Sequence, residues 1–312
     1  MNTEHRDTET ARQRLSIVIG VHNAESVIAE CLDALERQPG RNDTEIIVAD
    51  SSTDRTPEIV RQKFPSVHLL HSDAPLTLPQ LRGKGIAASH GEIVAIIDPY
   101  SIVDDGWILE TLRAHATHPH VVLGGSVDLH EACRGSLASW AIYINEYGMF
   151  MPPVPYGETW ILPGSNIAYK RRALFDERGN PRFAAFWKTF ANRDLEAAGQ
   201  ALLLVPGMGV RLWKPIPFLD FLRTRIDHGR CFGGMRVPSS ALGERLVRAA
   251  SCPLVPFILL FRWGRAYVAK RRRLDMFVLT LPHQLLLFGT WAIGEFVGYL
   301  RGPGRSCTRL FY

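Results

Sequence analysis

Four short apolar runs constrain the fold of this chain more than any other feature. Each ends at a polar or acidic residue, and stretches with helical spacing separate them. The runs are residues 15–21 (LSIVIGV), closing before His22-Asn23; 45–49 (EIIVA), closing on Asp50; 67–70; and 93–97 (IVAII), closing on Asp98. Short runs rich in β-branched side chains read as strands buried on both faces. Between the first two, Val27, Ile28, Cys31, Leu32 and Leu35 form one helical stripe that stops at Pro39-Gly40. Thr56-Pro57 reads as a helix start, a hydroxyl cap followed by proline. Residues 79–89 and 107–115 read as helices, and 121–123 as a further strand. The alternation predicts an α/β fold with a mostly parallel, Rossmann-like sheet covered on both faces. Ligands of such sheets bind beyond the carboxyl ends of the strands. His22-Asn23, Asp50 and Asp98 therefore mark the expected site.

The chemistry of those positions is open when each is taken alone. Asp50 can accept hydrogen bonds from a nucleobase or ribose; Asp50 and Asp54 can equally cap the turn and the helix that follows. Asp98 can hold a divalent cation bridging two phosphates, or an Asx turn before Pro99. Arg82 and Lys84, in LRGKGIAAS, can neutralise a diphosphate or face solvent. The two glycines in that segment cost helix stability with no local gain visible in the sequence.

Taken in order, VHNAE (21–25), IIVADSSTD (46–54) and LRGKGIAASHGEIVAIID (81–98) resemble the N-terminal half of a family 2 glycosyltransferase of the inverting, A-type fold. LPGSNIAYKRRAL (162–174), DLEAAGQALLLVP (194–206) and RIDHGRCFGGMR (225–236) extend the resemblance to about 220 residues. It implies a nucleotide-diphospho-sugar donor, Mg2+ or Mn2+, and one in-line displacement inverting the anomeric carbon. His22 stands at the first strand end. By resemblance, Asn23, Glu25 and Asp50 hold base and ribose, while Asp54, Arg82 and Lys84 lie near ribose or diphosphate. Asp98 is the metal carboxylate. Gly164, Ser165 and Asn166 shape the donor-sugar or acceptor pocket, and His228 and Arg230 face the same pocket or are structural.

Two positions depart from the family pattern. The Asp-x-Asp metal motif reads Asp98-Pro99-Tyr100, and Asp104 and Asp105 lie in the next loop. One carboxylate plus phosphates and water still suffices for Mg2+. The acidic catalytic base falls on FWKTF, where Lys188 stands. A protonated lysine cannot deprotonate a hydroxyl, whereas a desolvated one titrates lower. The catalytic candidates are accordingly Lys188, alternatively a phosphate ligand, and Asp194, the nearest carboxylate.

The C-terminal quarter changes character. Residues 249–261 are apolar but contain Pro253 and Pro256; residues 276–300 are longer and include Gln284 and Glu295. Basic residues flank the longer run on both sides, Lys270 to Arg273 before it and Arg301 after it, which resists opposite placement across a bilayer. The expectation is an interfacial or returning helical region, with Lys270 to Arg273 at anionic headgroups. The expected division is a tail at 1–14, a catalytic domain at 15–236 and a helical membrane-associating region at 237–312. The Met151-to-Gly157 segment, MPPVPYG, reads as a lid over the acceptor, and the histidines of HATHPH as a helix-end loop.

Composition sets outer bounds. The net charge of +5 suits an anionic partner. No aromatic-basic motif accompanies it, so no nucleic acid is expected. Five cysteines, an odd number without a CxxC pair, argue against a zinc site or disulfide framework and for a reducing compartment. The family resemblance, with the C-terminal region, implies an enzyme at the cytoplasmic face of the inner membrane, transferring sugar from a nucleotide sugar to a lipid-linked or polysaccharide acceptor. The alternative is a degenerate pseudo-glycosyltransferase that binds without turnover in polysaccharide assembly.

Overall fold

The computed structural model of the chain describes residues 14–238 and 240–309. The expected tail at 1–14 lies, apart from Arg14, outside the described residues. The apolar runs form β1 (Leu15–Val21), β2 (Thr44–Asp50), β3 (His68–His71) and β4 (Ile93–Ile97), and β1 and β4 are buried along their whole length. They pair in parallel in the order β3-β2-β1-β4, with α1 (Ile28–Glu36), α2 (Thr56–Lys63) and α3 (Leu78–Ala87) in the crossovers. All four strands therefore end at one sheet edge. The register sets Val21 beside Asp50 and Asp50 beside His71.

Beyond β4 the sheet is mixed. The later elements are β5 (Ser101–Val103), α4 (Trp107–Thr117), β6 (Val122–Leu129), α5 (Leu137–Tyr147), β7 (Gly157–Thr159), β8 (Asn166–Lys170), α6 (Lys188–Ala197) and β9 (Leu202–Leu212). β8 runs antiparallel between β4 and β6, β9 lies parallel to β6, and β5 and β7 pair antiparallel with β9. The expected parallel sheet holds for the first half only. Reversal of β8 has a structural consequence: its first residue, Asn166, pairs with Ile97, the last of β4. The Gly164-Ser165 turn thereby reaches the edge that carries Asp98.

Glycines explain how α3 fits. A Cβ on Gly85 would lie 2.4 Å from Val18 Cγ1, and one on Gly83 would lie 2.4 Å from the Ala184 carbonyl. The helix propensity lost there is exchanged for close seating against β1 and the loop before α6. Thr77 and Gln80 form a capping box at its start. At α2 the expected Thr56 cap is absent: Asp54 Oδ1 instead accepts from Thr56 N at 3.0 Å, and Thr56 Oγ1 accepts from Ala24 N at 2.9 Å.

The C-terminal helices are α7 (Phe218–Met235), α8 (Leu242–Ser251), α9 (Val255–Lys270), α10 (Leu274–Leu279) and α11 (Leu281–Arg301). α7 and α11 meet through glycines. A Cβ on Gly294 would sit 2.2 Å from Ile226 O, and one on Gly229 would sit 2.2 Å from Trp291 O. Gln284 and Glu295, the polar interruptions of the long apolar run, are buried: Gln284 Nε2 donates to Ala141 O of α5 at 2.8 Å and Tyr299 OH donates to Glu295 Oε1 at 3.2 Å. Cys231 and Cys307 form a disulfide between α7 and the segment after α11. The sequence reading, which argued against a disulfide framework, did not foresee this bridge, because 76 residues of separation hide such a pair from any spacing rule.

The basic run is also placed differently from expectation. Lys270 Nζ donates to Met149 O at 2.8 Å and to Met151 O, and Arg272 pairs with Asp128 at 2.7 Å and donates to Pro152 O. Lys270 and Arg272 thereby dock the helices onto β6 and the proline-rich segment, while Arg271 of the same run is exposed. They pin that segment by its carbonyls rather than leaving it a free lid.

The α7–α11 contact yields a stability prediction. Gly294→Ala should destabilise the fold by about 1–3 kcal/mol through overpacking. Gly243→Ala, on exposed α8 with open space around it, should be neutral or gain up to about 1 kcal/mol. Thermal denaturation of both variants checks the pair; equal melting temperatures would contradict the close approach.

Candidate active site

Asp98 follows the last residue of β4 and is 3% exposed. Its Oδ1 accepts from Arg82 Nη2 at 2.6 Å and from Lys188 Nζ at 3.4 Å, and its Oδ2 accepts from Tyr100 OH at 3.2 Å. Arg82 comes from α3 and Lys188 from the first residue of α6, so three distant segments converge here. Burial alone raises a carboxyl pKa, but the Lys188 and Arg82 charges outweigh it and hold Asp98 at about 2. Burial, reinforced by the Arg82 charge, pushes the Lys188 ammonium down to about 7 against the pull of Asp98.

A cavity of about 240 Å³ opens beside this cluster. Arg82, Asp98, Tyr100, Gly164 and Lys188 line it from the sheet side, and Glu146 and Tyr147 from α5. Arg225, His228 and Phe232 of α7 and Trp291 of α11 close it. The C-terminal helices therefore build part of the site. Glu146 pairs with buried Lys214 at 2.9 Å. Arg225 is 9% exposed, its Nε has no hydrogen-bond partner, and its guanidinium lies 4.2 Å over the Trp291 ring. His228 Nδ1 is likewise buried without a partner. Burial, with Arg225 adding to it, keeps the His228 imidazole well below its usual pKa and hence neutral.

At the other strand ends the groups mostly brace the loops. Asp50 is fully buried, its Oδ2 2.5 Å from His71 Nδ1 while its Oδ1 accepts from Ser52 N at 3.1 Å. His22 Nδ1 lies 3.0 Å from Ser51 O. Asn23, at φ 51°, uses its side-chain oxygen to accept from Thr53 N at 2.8 Å and Asp54 N at 3.3 Å. Glu25 accepts from Arg55 N at 3.1 Å, and Asp54 Oδ2 accepts from Glu25 N at 3.1 Å. Asn23, Glu25 and Asp54 thus clasp the β1–α1 and β2–α2 loops together.

The structure brings Arg82, Asp98, Gly164, Lys188 and His228 to one cavity, while other expected residues lie elsewhere. Lys84 and Asp194 are exposed and do not line it. Buried Asn166 spans the sheet, donating to Ser126 O at 3.0 Å and accepting from Trp107 Nε1 at 3.1 Å. Ser165 is buried beside it, and its carbonyl accepts from Ser101 Oγ at 3.3 Å. Arg230 points to the other side of α7, where Nε donates to Gly302 O at 3.3 Å. Glu146 and Arg225 escaped the sequence reading. Helical spacing offered a signal for Arg225, which shares a face with His228 three residues on; Glu146 had none.

The cation implied by resemblance would have Asp98 as its protein ligand. Both carboxylate oxygens of Asp98 already face N–H or O–H donors, and Asp104 is taken by Arg211 at 2.9 Å. No group of three or more His, Cys, Asp or Glu gathers among the described residues. The side chains as arranged do not fit a metal ion.

Comparison with known proteins places this geometry in a family. Residues 16–176 match the model of glycosyl transferase family 2, more than half of the 312-residue chain. The chain is 30% identical over 115 residues to a putative glycosyltransferase, EpsH, of Bacillus subtilis, a match of 35% of this chain and 32% of that protein. It is 28% identical over 123 residues to the glycosyltransferase GlyG of Streptococcus pneumoniae, 38% of this chain and 40% of that protein. The matched segments thus span less than half of these relatives. Among solved structures, the mannosyltransferase PcManGT of Pyrobaculum calidifontis shares the fold at a TM-score of 0.57 and 19% identity, covering 94% of this chain and 88% of that one. The mixed sheet, the strand-end carboxylates and the family match agree, and the chain belongs to glycosyl transferase family 2.

Proposed function

We propose that the chain transfers a glycosyl group from a nucleotide-diphospho-sugar to the hydroxyl of a lipid-linked or polysaccharide acceptor, inverting the anomeric carbon. The observation that carries this reading is the cavity at the carboxyl end of β4, in a family 2 chain, with cations on its wall for the diphosphate. The mannosyltransferase of similar fold was solved with GDP-Man and Mn2+, which supports a donor of this class. The base and ribose would bind toward the loops after β1 and β2, which Asp50 braces through His71 and Ser52. In the reaction the acceptor oxygen attacks the anomeric carbon, the bond from that carbon to the β-phosphate oxygen breaks, and the nucleoside diphosphate leaves. The proton passes from the acceptor hydroxyl to a group on the cavity wall. Glu146 is the lining carboxylate not tied to two cations, and we assign it that role in place of exposed Asp194.

The helical region also shapes where the acceptor meets the site. The helical run at 242–270 is long and apolar enough to cross a membrane, and only 17% of its most apolar window is buried. Phe257 and Phe261 of α9 are both 65% exposed, and Leu254 and Ile258 are exposed beside them. Arg262, over the Trp160 ring at 4.8 Å, and Arg265 border this apolar row. An apolar face edged by arginines suits a helix lying in an anionic bilayer surface. On this reading the enzyme works at the cytoplasmic face of the inner membrane, the face the positive-inside rule favours.

Two measurements follow. A nucleotide-sugar panel tested by calorimetry and slow hydrolysis should find one donor that both binds and turns over. Glu146→Gln should bind that donor within about threefold of the parent yet lose about 10²–10⁴-fold in kcat; unchanged kcat would remove Glu146 from the chemistry. A donor that binds but never turns over, even with acceptor supplied, would instead favour the binding-subunit alternative. Flotation with phosphatidylglycerol vesicles should recover the full chain. The double change Phe257→Ser and Phe261→Ser should cut recovery at least about tenfold, since each buried phenylalanine contributes roughly 1.5–3 kcal/mol. Recovery of the double variant at the parental level would place the membrane contact elsewhere.

A further inference from the structure

The donor site departs from a metal-binding one in a specific way. Where the family resemblance leads to an acidic residue at the start of α6, this chain has Lys188, and its ammonium stands 3.4 Å from the one carboxylate a cation could use. Arg82 occupies the same oxygen from the opposite element at 2.6 Å. A divalent ion on Asp98 would have to displace both or sit against two buried positive charges, and like charges in a buried site repel strongly. The cavity holds a third cation. Arg225 makes no ion pair among the described residues, its Nε is unsatisfied, and it is nine-tenths buried on the cavity wall. A buried, unpaired guanidinium is costly unless an anion completes it. Arg82 Nε is unsatisfied as well. Asp98 neutralises only part of this charge, and Glu146 is already taken by Lys214.

We propose that Lys188, Arg82 and Arg225 form a fixed cationic clamp that holds the donor diphosphate and the departing nucleoside diphosphate in place of a bound divalent cation, with Asp98 orienting the first two. Guanidinium and ammonium groups suit this task because they donate several charge-assisted hydrogen bonds to phosphate oxygens without needing a ligand shell. Their ordering on Asp98 is present before the donor arrives, as electrostatic preorganisation of charge at a leaving group requires. The inference rests on the nucleotide-diphosphate donor proposed above, and goes beyond it by removing the metal from donor binding.

The test is calorimetric titration of the full chain in detergent with UDP and with GDP, once in excess EDTA and once in excess Mn2+. Whichever diphosphate binds should do so with a Kd in EDTA within about threefold of that in Mn2+. Lys188→Gln and Arg225→Gln should each weaken it about 10–100-fold in both buffers, the range for losing a charged hydrogen-bond partner. Lys188→Arg should keep most of the affinity, which separates loss of charge from loss of fold, and melting curves of each variant serve the same end. Binding that collapses in EDTA, or that survives both glutamine variants unchanged, overturns the proposal while leaving the donor reading intact. Binding of neither diphosphate in either buffer defeats the donor reading itself, and the clamp with it.

Discussion

A single buried carboxylate, Asp98, organises the centre of this molecule. An ionised side chain 3% exposed persists only where opposite charge and hydrogen-bond donors surround it. Here those donors come from α3, from the turn after β4 and from the start of α6. Each of these segments is thereby tied to the end of β4, and the cavity takes its shape from where they meet. The close seating of α3, which requires glycine at 83 and 85, is what brings the Arg82 side chain within 2.6 Å. The site and the core packing are therefore two aspects of one arrangement.

A second constraint is the contact between α7 and α11. Glycines on both helices bring the backbones together, and that closeness sets Arg225, His228 and Trp291 around the cavity. The C-terminal helices thus have two distinct sides: one side of the bundle completes the pocket, and the other exposes the apolar row of α9. Lys270 and Arg272, docked on the proline-rich segment and on Asp128, tie the helices to the sheet domain.

Much of the fold was legible because burial on both faces leaves a strong sequence trace. The β1 to β4 runs and the stripe of α1 follow from periodicity alone, and the strand-end rule points to Asp50 and Asp98. Elements of the second half were harder. β8 and β9 lie in a mixed sheet whose pairing depends on partners far away in the chain, and α5 carries Glu146 with no local mark of function. The docking of Lys270 and Arg272 was hidden for a related reason: a cluster of cations reads the same whether it faces lipid or caps carbonyls within the protein.

By itself the sequence determined the alternation of strand and helix, the edge at which a ligand would bind, the family pattern and the two departures at Tyr100 and Lys188. Those are properties of local spacing and of residue type at aligned positions. Only the tertiary structure decided that Lys188 turns onto Asp98, that Arg225 stands unpaired on the cavity wall, that Asn23 and Asp54 are engaged in bracing loops, and that Cys231 meets Cys307. Each is a contact across at least 29 residues of chain or a matter of burial, and local spacing records neither the distance between remote side chains nor the loss of water around them.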